Sequence, residues 1–144
     1  MKITMIIPGK PMPQKRHRSA KGGWMYDPSK KDKESFLLKC GAQWNLVDLF
    51  FMTGKEPIKV KLKFYCPYMV KHHLSNSRRK PLKKTLPDRQ IDKPDLDNLI
   101  KFVLDALNGY YYKDDKQVYK IEAEKIYSEK PRTEIIIEIG EPKL

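Results

Sequence analysis

Ile3, Met5 and Ile7 alternate with Thr4 and Ile6, a period of two that reads as a short strand ended by Pro8-Gly9. From about Ser29 the spacing changes. Phe36, Leu37, Cys40, Trp44, Val47 and Phe51 recur every three or four residues, which predicts an amphipathic helix closed by Gly54 and Pro57. Ile58, Val60, Leu62, Phe64 and Cys66 then alternate with Lys59, Lys61, Lys63 and Tyr65, the clearest strand in the chain. Its three lysines share one face, which is either solvated or set against a phosphate backbone. Leu96, Leu99, Ile100, Val103, Leu104 and Leu107 fall on one stripe of a second helix that starts near Asp95 and stops at Asn108-Gly109. A strand from Gln117 to about Tyr127 follows, and a last one sets Ile135, Ile137 and Ile139 against Glu134, Ile136 and Glu138. The order strand, helix, strand, helix, strand, strand predicts an α+β fold, with a mixed sheet of about four strands and two main helices packed on it. The 144 residues fit one domain, with no internal repeat.

Two connections interrupt this pattern, at about residues 10–30 and 67–93, and both are basic. The first embeds Trp24 and Tyr26 among Lys15, Arg16, Arg18, Lys21, Lys30 and Lys31. It reads either as a solvated connection with its aromatics tucked onto the core, or as a segment that contacts phosphates and packs aromatics against DNA. The second holds Pro67, Pro81 and Pro87 and eight Lys+Arg against two Asp, including Arg78, Arg79, Lys80, Lys83 and Lys84, and is expected to be mobile when free. Formal net charge is +12, a field that attracts polyanions, and nucleic acid is the leading partner. The charge is uneven: residues 1–93 carry 22 Lys+Arg against 7 Asp+Glu, whereas residues 94–144 carry 8 against 11. The acids gather in the part of the chain that holds the candidate chemistry.

No run of eighteen apolar residues occurs, and the apolar start breaks at Pro8-Gly9 before a signal-peptide core forms, so a cytoplasmic protein without membrane partner or small-molecule substrate is expected. Cys40 and Cys66 sit at apolar positions without CxxC spacing and read as buried reduced thiols. The alternative is a zinc site that joins Cys66 to His72 and His73.

Asp95 and Asp97 lie at the mouth of the second helix, behind Lys93-Pro94, and Asp114-Asp115 lie beyond its far end. One acid at a helix N-terminus is an ordinary cap. Two acids one residue apart exceed what a cap needs. Asn98, Lys101 and Asp105 form a polar stripe opposite the leucine seam. If the acids converge, their repulsion calls for a divalent cation, and hard oxygen ligands suit Mg²⁺, whose retained waters serve phosphodiester hydrolysis, with Lys101 as phosphate partner. Convergence requires the chain to double back across the helix length, and spacing leaves the metal site and the capping reading both open.

The stretch Lys93-Pro94-Asp95-Leu96-Asp97-Asn98-Leu99-Ile100-Lys101, continuing through Asp105-Ala106-Leu107-Asn108-Gly109 to Asp114-Asp115-Lys116-Gln117-Val118, closely resembles the signature of the RusA-type Holliday junction resolvases. The combination of DxDNxxxK, a DALNG helix end and DDxQV in that order makes the match specific. Pro8-Gly9-Lys10-Pro11 followed by a basic segment and Tyr26 is similar to phage-type members, which suggests a prophage origin. The resemblance implies a homodimeric, Mg²⁺-dependent endonuclease, with Mn²⁺ able to substitute, that binds four-way DNA junctions and makes paired, symmetric nicks in recombination and repair. It carries the metal-binding carboxylates onto Asp95, Asp97 and Asp115 and the catalytic lysine onto Lys101, with Asn98 and Asp114 in supporting roles. Two departures stand out. The loop from Pro67 to Asp92 is longer than in the compact bacterial form, and the turn before Asp114 is about one residue shorter, so the choice of Asp115 rests on Gln117-Val118. Lys15, Arg16, Arg18, Arg78, Arg79, Lys80, Lys83 and Lys84 are the candidate DNA-binding cations. The alternatives are a non-catalytic nucleic-acid-binding protein and a nuclease of broader branched-DNA specificity.

Overall fold

A computed structural model describes residues 1–41 and 52–142. The alternating positions form β1 (Lys2–Pro8), β4 (Ile58–Cys66), β5 (Val118–Tyr127) and β6 (Arg132–Ile139), and the two helical stripes form α1 (Lys30–Gly41) and α2 (Leu96–Leu107). The sheet order is β1-β6-β4-β5, with β6 antiparallel to β1 and β4, and β5 parallel to β4. The mixed sheet and two helices match the expected α+β layout. A parallel pair requires a crossover, and α2 supplies it, so α2 runs opposite to both β4 and β5.

One sheet face carries the core. Ile3 and Met5 of β1, Ile58 to Cys66 in alternation on β4, and Ile135 and Ile137 of β6 are buried together with Leu99, Phe102, Val103 and Leu107 of α2. Phe36 and Leu37 of α1 pack at the margin, Phe36 edge-on to Phe102, while Cys40 is fully buried. The remaining positions of the predicted first helix, Trp44, Val47 and Phe51, lie outside the described residues.

The other face is solvated. Lys59, Lys61 and Lys63 pair with Glu122, Glu138 and Glu124 of the neighbouring strands. That arrangement decides between the two readings of the lysine face: its charge is balanced within the sheet.

Both basic connections carry structure that periodicity did not reveal. Within residues 10–30, β2 (Arg18–Ser19) and β3 (Met25–Tyr26) make a small hairpin, and Trp24 and Tyr26 are exposed instead of tucked onto the core. The 67–93 segment has two single-turn helices, at Val70–His72 and Leu74–Asn76, and bridges His73 to Leu82 and Arg89 to Ile126. It is held to the rest of the chain by hydrogen bonds that the sequence did not announce. His72 is spent in that docking: its Nδ1 accepts from Met69 N at 2.9 Å and its ring packs against Tyr68 and Tyr127. His73 Nδ1 faces Lys80 O at 2.8 Å. Both cysteines are buried and free, and burial pushes the Cys40 thiol up to about 12. These contacts support the buried-thiol reading over a zinc site.

Candidate functional site

Asp95 occupies the N-cap position of α2 with extended backbone, φ −68° and ψ 141°, yet its side chain accepts no capping hydrogen bond. A carboxylate there ordinarily receives an N–H of the first helical turn. This one does not.

The backbone around Asp95 is held from several sides. Lys125, which stands opposite buried Phe64 on the core face of β5, donates through Nζ to the carbonyls of Asp92 and Pro94, each at 2.8 Å. Gln90 Nε2 donates to Lys93 O at 3.1 Å, and Gln14 N donates to Asn98 O at 3.0 Å. Tyr127 Oη donates to Asp92 Oδ2 at 2.7 Å, and Lys71 pairs with the same oxygen at 2.9 Å. Lys71 and then Tyr127 hold the Asp92 carboxyl below the ordinary carboxylate range. The start of α2 is therefore fixed between the 67–93 loop, the end of β5 and the first basic loop.

Asp95 and Asn98 line a cleft with Lys10, Gln14 and Lys93. Gln14 is buried, and its Nε2 donates to Lys15 O and Asp27 Oδ1, both at 2.9 Å. Those two acceptors fix the sense of the amide. Its Oε1 is left buried without a partner, a deficit that costs about 1–3 kcal/mol. A cation or a water ordered by one relieves it. Mg²⁺ binds few protein oxygens and keeps several waters, so the carboxylate of Asp95 and the amide oxygen of Asn98 are donors of fitting hardness. Asp97 and Lys101 are both exposed on α2, Lys101 one helical turn beyond Asp97. Asp105, a further turn along, pairs with Lys33 at 3.6 Å, and Lys33 pairs with Asp27 at 2.7 Å.

The second acidic pair is placed elsewhere. Gly109, at φ +80°, closes α2 in the left-handed conformation that glycine tolerates, and Tyr112 Oη bonds back to Leu104 O at 2.7 Å. Asp114 then caps a short turn: its Oδ1 accepts from Lys116 N at 3.1 Å, a bond that lowers its pKa. Gln117 seals the same turn, accepting from Lys113 N and Asp114 N and donating to Glu56 O. Asp115 is exposed beside it. Twelve helical residues span about 18 Å, so Asp95 and Asp115 mark opposite ends of α2. The far end of β5, at Lys125, is the one beside Pro94. Among the described residues no three of His, Cys, Asp or Glu gather into a group able to hold an ion. The structure thus sets Asp95 and Asn98 on one cleft, leaves Asp97 and Lys101 exposed on α2 outside the lining of that cleft, and places Asp115 apart from them.

The candidate DNA-binding cations Arg16, Arg18, Arg78, Arg79, Lys80, Lys83 and Lys84 are exposed, and Lys15 makes a surface pair with Asp32 at 3.5 Å. Arg78 also lines a cavity that adjoins the Asp95 cleft through the shared Lys10, Lys93 and Pro94, and there Gln90 Oε1 is a second buried acceptor without a partner. Sequence reasoning passed over Gln14, Gln90 and Lys125, and quoted Lys10 and Lys93 only as parts of motifs. Only Lys125 left a signal, as a charge at an inward position of an alternating strand.

No helix among the described residues is long and apolar enough to cross a membrane. The chain matches the family described as "Endodeoxyribonuclease RusA" over residues 8–138. It is also 38% identical over 141 residues to a Bacillus subtilis (strain 168) protein described as "Uncharacterized protein YqaN", with 94% of each chain covered. A match of that extent, carrying the acids at the mouth of α2, establishes that this chain belongs to the RusA family of endodeoxyribonucleases, which act on branched DNA.

Proposed function

We propose that this chain is a Mg²⁺-dependent endonuclease that acts as a homodimer to resolve four-way DNA junctions, by paired symmetric nicks, in recombination and repair. The observation that carries the reading is Asp95: a carboxylate at an N-cap position that does not cap and instead lines a cleft with Asn98 and Gln14. A non-catalytic DNA-binding protein leaves that arrangement, and the orphaned Gln14 Oε1, without a use.

In this reading Asp95 and Asp97 hold the ion, Asn98 orients the cleft, and Asp115, remote from Asp95 within one chain, is the third carboxylate contributed by the partner protomer of the homodimer. Asp114, already committed to its turn, supports Asp115. Bound Mg²⁺ supplies an activated water and charge stabilisation on the phosphodiester. Lys101 neutralises the attacked phosphate, while Lys10 and Lys93 at the cleft rim attract the strand that carries it. The basic loops hold the junction arms.

Asp95→Asn removes a ligand and leaves the basic surface intact. It is expected to abolish Mg²⁺-dependent nicking while junction affinity, measured by gel shift, stays within about threefold of wild type, the scale of one exposed charge contact. Full nicking by that variant contradicts the site.

A further inference from the structure

Trp24, Met25 and Tyr26 are 71%, 62% and 46% exposed, three consecutive large apolar residues on the surface of a highly charged chain. Strand alternation puts Trp24 and Tyr26 on one face of the strand and Met25 on the other, and an exposed aromatic face marks an interaction site. Here it sits on the β2–β3 hairpin, with Arg16 just before it, Arg18 on its leading strand and Lys21 in its turn. Aromatic area framed by cations suits a partner that is both polyanionic and rich in flat rings, and nucleic-acid bases with their phosphates meet both conditions.

The hairpin is built to hold this tip in place. Arg18 pairs with Tyr26 and Ser19 with Met25, Ala20 N donates to Trp24 O at 2.8 Å, and Gly23 N donates to Ala20 O at 3.1 Å. The indole lies over Gly22, where an added Cβ would stand 2.9 Å from Trp24 Nε1. The ring is thus pre-placed against the turn, which lowers the ordering cost of using it.

The base of the hairpin is bolted to α2. Asp27 receives Gln14 Nε2, Ser29 N and Lys33 Nζ at 2.9, 2.9 and 2.7 Å. Lys33 reaches on to Asp105 of α2, and Gln14 N bonds Asn98 O beside Asp95. The aromatic tip and the acidic cleft are therefore joined by a continuous run of hydrogen bonds and ion pairs.

From this we infer that the β2–β3 hairpin is a stacking wedge, in which Trp24 takes the face of a splayed base at the branch point while Arg16, Arg18 and Lys21 hold the flanking phosphates, so that branch shape is recognised at a fixed offset from Asp95. The inference rests on the reading of the chain as a branched-DNA nuclease.

The test uses the full chain without divalent metal and a four-way junction with fluorescent aminopurine at a branch-point position. Wild type is expected to change the aminopurine emission on binding. Trp24→Ala should lose that change and weaken junction binding about tenfold, consistent with one base–aromatic stack, with linear-duplex binding within twofold. Trp24→Phe should retain most of both signals. Wild-type junction affinity and emission in Trp24→Ala overturn the wedge, and so does an equal loss on junction and duplex. Junction-selective binding with the expected Trp24 dependence, but no cutting when Mg²⁺ is added, leaves the wedge standing and removes the nuclease reading. Absence of junction-selective binding in wild type removes both.

Discussion

At the residue scale the carboxylates differ in what each already does. Asp114 is occupied by Lys116 N and Asp27 by Gln14, Ser29 and Lys33, whereas Asp95 stands at a cap position without capping. Sequence made the pair of acids visible through their spacing. It did not decide between cap and ligand, because that choice is a matter of backbone angles and one hydrogen bond. Gln14 was invisible for a similar reason: a glutamine in a polar loop carries no periodicity, and its buried, unpartnered Oε1 exists only after folding. Lys101, by contrast, was legible as the polar side of an apolar stripe. If it neutralises the attacked phosphate, Lys101→Ala should lower the single-turnover nicking rate about 100-fold or more, with junction affinity changed less than threefold, as a single exposed cation contact allows at about 0.2–1 kcal/mol. An unchanged rate would remove Lys101 from the chemistry.

At the element scale, β4 and α2 were legible because their periods are long and uninterrupted, and Asn108-Gly109 marks the end of α2 by chemistry. The hairpin and the docked 67–93 loop were not. Their hydrogen bonds go to residues far along the chain, as with Tyr127 to Asp92 and Lys125 to Pro94. Tyr127→Phe deletes the first of these and should destabilise the chain by about 1–2 kcal/mol in urea unfolding. A value near zero would mean that the loop is not docked there.

Two acids contribute to the pH response of these local structures. Burial raises the Asp27 and Glu56 pKa values but is outweighed, for Asp27 by Lys33, Ser29 N and Gln14 and for Glu56 by the N–H groups of Thr53 and Gly54 and the Thr53 hydroxyl. Both end at about 2. A depressed folded-state pKa contributes stability that is present above the unfolded value and lost as pH falls toward the folded one. Unfolding midpoints should therefore drop between about pH 4.5 and 2, and Asp27→Asn with Glu56→Gln should flatten that drop. An unaltered slope in the double variant would show that the acid sensitivity arises elsewhere.

At the scale of the whole molecule, the loops carry exposed positive charge that is free for DNA in this reading, whereas the lysines of β4 are balanced by Glu122, Glu124 and Glu138. Replacing Arg78 and Arg79 by alanine should weaken junction binding and flatten its salt dependence, each phosphate contact contributing about 0.9 to the logarithmic slope. Lys61→Ala should do neither. The separation of Asp115 from Asp95 by the length of α2 gives the proposed homodimer a further expectation: in mixed dimers of Asp95→Asn and Asp115→Asn chains, nicking should partly return if each cleft is completed by the partner. No recovery would assign Asp115 to its own chain's cleft.

The central claim is cleavage of branched DNA by the Asp95 cleft. Its most direct test is a side-by-side nicking assay on a four-way junction, a fork and a linear duplex at equal concentration, with Mg²⁺ and with chelator, for wild type and Asp95→Asn. The expectation is that wild type with Mg²⁺ makes paired, symmetric nicks on the junction and cuts the other substrates little, with no cutting in chelator or by Asp95→Asn. Equal nicking of all three substrates, or nicking that survives Asp95→Asn, would contradict it.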